Sequence, residues 1–169
     1  GIVVETPAGT VIHTGDWKFD FHPVGEPPAD LQKIASIGSK GVLCLMGDST
    51  NANRAGHQVS EKEIGETLDR IIEKAPGRVI IGTFASLLSR VRQIIEIADS
   101  YGKKVAVEGF SMKTNVEIAR EIGFIQTKND TFIPVEAVDK YDANKVVIVC
   151  TGAQGESKAA LMRIASGEH

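Results

Sequence analysis

Four short apolar runs in this chain each break abruptly into small and polar residues, and that repetition limits what the chain can fold into. Residues 42–46 run into Gly47-Asp48-Ser49-Thr50-Asn51, and residues 79–81 into Gly82-Thr83-Phe84-Ala85-Ser86. Residues 105–107 run into Glu108-Gly109-Phe110-Ser111, and residues 146–149 into Cys150-Thr151-Gly152-Ala153-Gln154-Gly155. An apolar run bounded by turn residues reads as a buried strand. A helical pattern follows each turn, directly or after a short loop. Repeated strand–turn–helix units predict right-handed crossovers and an α/β fold with a parallel sheet. In such a sheet the strand carboxyl ends share an edge, and ligands bind there. All four turns are therefore expected to line one cleft.

The 169 residues suit one ordinary domain with an appended piece, and 42% hydrophobic residues suffice for a core. A net charge of −3 gives no basic footprint for long-range attraction to nucleic acid. A local phosphate site built from backbone N–H groups remains compatible with it. Cys44 and Cys150 both fall in expected buried strands, so they read as core thiols of a reduced compartment. No apolar run is long enough to span a membrane and no signal peptide is present, which points to the cytoplasm. The chain opens at Gly1 without a methionine and reads as a piece of a longer protein.

Residues 2–5 and 10–13 form two β-type runs joined by Thr6-Pro7-Ala8-Gly9, a turn with proline second and glycine fourth. Asp16 follows the second run and a glycine, where a loop can aim a carboxylate at a metal or substrate; a turn or capping role is the alternative. Residues 21–29 carry three prolines and read as a connector between a hairpin piece, 1–29, and an α/β domain, 30–169. A short helix at 30–37 puts Leu31, Ile34 and Ala35 on one face, with Gly38 as its stop. Ser60-x-x-Glu63 is a capping box for a helix ending at Pro76-Gly77. Further helices are expected after Ser86, over 115–122 and at the C-terminus. Residues 124–127 read as a short edge strand, 128–130 as a turn, and Pro134 as the start of a small helix.

Hydroxyls beside helix starts suit a phosphate or a sugar-phosphate backbone. Thr83, Ser86, Ser89 and Arg90, then Ser111 and Lys113, then Thr151, Gln154 and Glu156 are the candidates at the last three turns, although Ser86, Ser111 and Thr151 are also natural N-caps. Asp48 ends an apolar strand, where an unpaired carboxylate is costly; an Asx turn to Thr50 is the structural alternative. The glycines after Thr151 match neither the dinucleotide fingerprint nor a P-loop. His13, His22, His57 and His169 are scattered, with no serine or cysteine partner.

Taken in order, several of these motifs resemble the metallo-β-lactamase/β-CASP ribonucleases, most closely the ribonuclease J group. They are His13-Thr14-Gly15-Asp16 with Lys18-Phe19-Asp20, Asp48-Ser49-Thr50-Asn51-Ala52, Phe84-Ala85-Ser86 with Arg90, Gly109-Phe110-Ser111-Met112, and residues 151–156. The resemblance implies a three-layer, Rossmann- or flavodoxin-like β-CASP domain over residues 30–169. Residues 1–29 would be a hairpin and connector from the metal domain. It implies a hydrolase in which two zinc ions activate a water against an RNA phosphodiester. The residue matching Asp16 would be a metal ligand, and Asp48 would orient a ligand histidine from behind. The partners implied are single-stranded RNA, the rest of the metallo-β-lactamase domain and, as some such proteins associate, a homo-oligomer. The family's histidine-rich metal motif is not in these residues, so this piece alone is expected to be inactive. Leu87, Ser89, Phe110, Ala153 and Ser157 depart from the family's usual polar or proline residues. The rival reading is a non-catalytic RNA- or nucleotide-binding module of the same fold.

Overall fold

The computed structural model describes residues 1–128 and 130–168; Asn129, in the expected turn at 128–130, and His169 lie outside them. The described residues form two compact units, Gly1–Lys62 and Glu63–His169. The connector at 21–29 lies inside the first of these.

In the first unit, β1 (Ile2–Thr6) and β2 (Gly9–His13) pair antiparallel, with Thr6 opposite Gly9. Pro7 presets the turn. The Thr6 hydroxyl closes it, accepting the Ala8 and Gly9 N–H groups at 3.2 Å and donating to the Gly9 carbonyl at 2.7 Å. Helix α1 (Leu31–Ser39) begins where the Asp30 carboxylate accepts the Lys33 N–H at 2.8 Å. It passes Gly38 and stops before Gly41, whose φ of 88° is the left-handed conformation that glycine adopts freely. The chain then returns as β3 (Cys44–Met46), parallel to β2 with Cys44 opposite Val11.

That pairing corrects the expectation of one sheet carrying all four turns. β2, α1 and β3 form their own parallel crossover, so β3 completes the hairpin sheet, ordered β1-β2-β3. Burial differs as well: every β3 residue is exposed, including Cys44, which was expected in a core. Helix α1 likewise buries none of its residues. Its Ile34 and Ile37 instead line a groove of about 1140 Å³ shared with Val3, Ile12 and Leu45 of the sheet.

Helix α2 (Glu61–Lys74) follows, and the second unit contains β4 (Val79–Gly82), α3 (Leu88–Ser100), β5 (Lys104–Glu108), α4 (Phe110–Glu121), β6 (Val146–Cys150) and α5 (Ala160–Ala165). Its sheet is parallel throughout, ordered β4-β6-β5. All five β6 residues are buried, the near-continuous apolar pattern of a strand covered on both faces. Val147 and Val149 pack with Ile72 of α2, Val91, Ile94 and Ile95 of α3, and Met112 and Val116 of α4. Val146 and Ile148 face the other way, against Val138 in a 3-10 helix, Val135–Lys140. Where α2 crosses α3, a Cβ on Gly65 would stand 2.3 Å from Gln93 Oε1, so the glycine permits that approach.

Two local expectations change. The helix expected from residue 115 begins five residues earlier, because Gly109, at φ 103°, turns β5 directly into α4. No strand forms at 124–127. Residues 131–133 take the place beside β5 instead, through Val105 N–H to Thr131 O at 2.8 Å and Ile133 N–H to Val105 O at 3.0 Å.

Burial, with Glu108 nearby, pushes the Cys150 thiol up to about 11. At about pH 8 only about one thiol in a thousand would then be the reactive thiolate. Iodoacetamide should therefore spare Cys150 in the folded protein and label it only after denaturation. Rapid native labelling, read by peptide mass spectrometry, would contradict this burial.

Candidate functional site

In the first unit the ends of β2 and β3 are tied by Thr14. Its N–H donates to Met46 O at 3.0 Å, and its hydroxyl accepts the Asp48 N–H at 3.1 Å and donates to Gly15 O at 2.7 Å. The next turn is tightened by the Gly15 N–H on His13 Nδ1 at 3.0 Å. This geometry delivers Asp16 exposed, with no hydrogen-bond or ion-pair partner for its carboxylate among the described residues.

Asp48 lies beside this loop. Its Oδ1 accepts the Thr50 N–H at 2.8 Å, so the Asx turn is present. The Thr50 bonds, with help from the Trp17 N–H, hold its carboxyl below the usual range against partial desolvation. One carboxylate thus shapes its own turn and also holds the residue after Asp16. The Lys18-Phe19-Asp20 segment has a structural job. Asp20 accepts the first α2 N–H, from Glu61, at 2.7 Å, and Lys18 Nζ donates to Val59 O at 2.7 Å. The Glu61 N–H is the largest reason that the Asp20 carboxyl sits low. Both depressed carboxylates contribute stability that is present at neutral pH and is lost only as pH falls through their lowered values. Among the described residues no group of three or more His, Cys, Asp or Glu could hold a metal.

The second unit gathers the other candidates. Gly82 and Glu108 both stand level with Cys150 across the sheet, so the three following turns leave from one edge. Ser86, Arg90, Ser111, Thr151 and Gln154 all belong to these turns or to the helix starts beyond them. The N-caps are Leu87, Gly109 and Ala159, so neither Ser86 nor Ser111 caps its helix, and both are exposed. Gln154 is exposed as well. Thr151 differs: its hydroxyl accepts the Ala160 N–H at 3.5 Å, and its carbonyl accepts the Leu161 N–H at 3.0 Å, anchoring α5. Asp48 is not on this edge, since it ends a strand of the other sheet.

Two residues at the edge, Glu108 and Arg163, went unnoticed in the sequence. Glu108 is buried at the end of β5, with Lys113 Nζ 2.5 Å from Oε2 and Arg163 3.4 Å from Oε1. A buried carboxylate persists when it is paired in this way. The same reasoning that singled out Asp48, a charge closing an apolar strand, applies to Glu108 and would have found it. Arg163 had no such signal, because an arginine in a terminal helix is ordinary. Thr83 is buried at the end of β4, with a hydroxyl that has no partner among the described residues.

Comparison with known proteins adds to this geometry. Residues 76–169 match the family model described as "Ribonuclease J, beta-CASP domain". The chain is 48% identical over 169 residues to Ribonuclease J 1 of Streptococcus pyogenes, covering all of this chain and 30% of that protein. It is 46% identical over 168 residues to Ribonuclease J of Helicobacter pylori strain J99, covering 99% of this chain and 24% of that protein. It is 44% identical over 169 residues to Ribonuclease J of Thermus thermophilus, covering all of this chain and 29% of that protein. The chain thus spans less than a third of the length of these relatives. A parallel sheet with its turns on one edge, a family model over more than half the residues and close relatives along the whole chain agree: this chain belongs to the ribonuclease J β-CASP family.

Proposed function

We propose that the full-length protein is a cytoplasmic ribonuclease that cuts phosphodiesters of single-stranded RNA, and that the second unit is its RNA clamp. The supporting observation is the shared strand-end edge carrying Ser86, Arg90, Ser111 and Gln154 within a domain that matches the ribonuclease J model. Exposed hydroxyls, an amide and a guanidinium suit a sugar-phosphate chain. Thr151 would act there through its backbone and by holding α5.

For the metal chemistry the described residues supply Asp16 and too few further donors to hold an ion, since a zinc needs three or four ligands. In this reading the rest of the metallo-β-lactamase domain completes a two-zinc site, which would supply an activated water when loaded. Asp16 would be a ligand and Asp48 would fix its loop through Trp17.

The clamp is tested by RNA affinity. Arg90→Ala in the full-length protein should weaken binding of a single-stranded oligoribonucleotide about tenfold, as expected for a lost charged hydrogen bond. It should also lower the salt slope by about 0.7. Ser86→Ala should cost less, about threefold, for a neutral hydrogen bond. Unchanged affinity in both variants would remove the edge from RNA binding.

A further inference from the structure

Phe110 is the first residue of α4, and its side chain is 90% exposed, more than any other large apolar side chain among the described residues. The helix buries Met112, Val116 and Ala119 and does not use Phe110 in that face. Nor is Phe110 on a loose end. A Cβ on Gly109 would lie 2.5 Å from Thr151 Oγ1, so the backbone just before the ring is packed against β6's turn. Further along α4, Asn115 Nδ2 donates to Ala85 O at 2.8 Å, tying the helix to the turn after β4. That turn carries Phe84, also exposed at 44%.

The two rings occupy equivalent places. Each stands two residues beyond the last ladder position, after Gly82 of β4 and Glu108 of β5, on either side of β6. Two strand spacings separate the ladder ends from which they leave, Gly82 and Glu108, by roughly 10 Å. Lys113 lies one turn along from Phe110, and it and Arg163 are both held at this edge by Glu108. Exposed aromatic faces between cations are how proteins hold single-stranded nucleic acid without reading its sequence. The surroundings disfavour an apolar protein interface: Ser111, Lys113 and Thr114 flank the ring, and an apolar docking patch is contiguous.

We propose that Phe110, with Phe84 across β6, stacks on the bases of single-stranded RNA lying along this edge. The proposal rests on the reading that RNA binds here, and adds that the edge grips bases as well as phosphates. The test uses the full-length protein and a fluorescent oligouridine of about 10 nucleotides. Phe110→Leu keeps an apolar side chain and removes the π-face; Phe110→Trp keeps both. Phe110→Leu should weaken binding about tenfold and Phe110→Trp should preserve it. An oligonucleotide of the same length with abasic sites should bind wild type and Phe110→Leu equally. If Arg90→Ala weakens binding and Phe110→Leu does not, stacking is overturned while the edge stands. If neither variant matters, the RNA reading falls as well. If Phe110→Leu changes sedimentation and leaves RNA affinity intact, the ring belongs to a protein interface and the proposal is wrong.

Discussion

Asp16→Ala in the full-length protein is expected to cut RNA hydrolysis by more than about 100-fold, beyond the loss typical of a residue that only supports a metal ligand. The same change should leave thermal unfolding where it was. The Asp16 carboxylate is exposed and has no partner among the described residues, so its removal breaks no contact. Surface changes of that kind move stability by no more than about 0.5 kcal/mol. Activity and stability should thus separate. Asp48→Asn is the companion. Asparagine can still accept the Thr50 N–H, so the turn survives, while the charge beside the Trp17 N–H is lost. A fall of about 10- to 100-fold is expected. Hydrolysis that continues at the wild-type rate in Asp16→Ala would remove this carboxylate from the chemistry. No hydrolysis even by the wild type, with RNA still bound, would favour the non-catalytic binding module.

Gly152→Ala is expected to destabilise the second unit by about 3 kcal/mol, combining left-handed strain with overpacking. Gly152 is buried at φ 124°, and a Cβ there would meet Leu161 Cβ at 2.7 Å and Ala159 Cβ at 3.1 Å. Those contacts belong to the start of α5, which cannot retreat without losing the Leu161 N–H bond to Thr151 O. A shift of roughly 10 °C in the thermal midpoint would follow. Gly155→Ala isolates the two causes. Gly155 also has positive φ, 74°, but nothing lies within 4 Å of its added Cβ, so only strain of about 1 kcal/mol remains. Equal midpoints for the two variants would mean that α5 gives way and the close contact is not rigid.

The parts of this fold legible in the sequence are those set by local rules. Proline and glycine around the 6–9 turn specify the hairpin. Apolar runs and the helical periods after them specify the parallel α/β unit. Partner choice is not local, and there the reading failed: residues 42–46 look like any other strand, and nothing within them says that β2, and not β6, will be beside them. The start of α4 was hidden because Gly109-Phe110-Ser111 reads as a turn, whereas the positive φ of Gly109 is spent entirely in one residue. Asp48 could be read because a charge at the end of an apolar strand demands an explanation. Glu108 posed the same question from β5; part of its answer, Lys113, lies on the next helix, and the rest, Arg163, lies 55 residues away along the chain. The exposure of Phe110 depends on the register of α4, which Gly109 sets and the residues alone do not show.

The order of β4-β6-β5 also bears on how the protein is made. The middle strand is the last of the three to leave the ribosome, at residues 146–150, and both neighbours pair with it and not with each other. During synthesis, therefore, β4 and β5 emerge with a vacant slot between them, their apolar side chains waiting for more than 35 residues after β5 is complete. Such a chain closes its sheet late, through contacts between distant residues, and is slow and exposed to aggregation until it does.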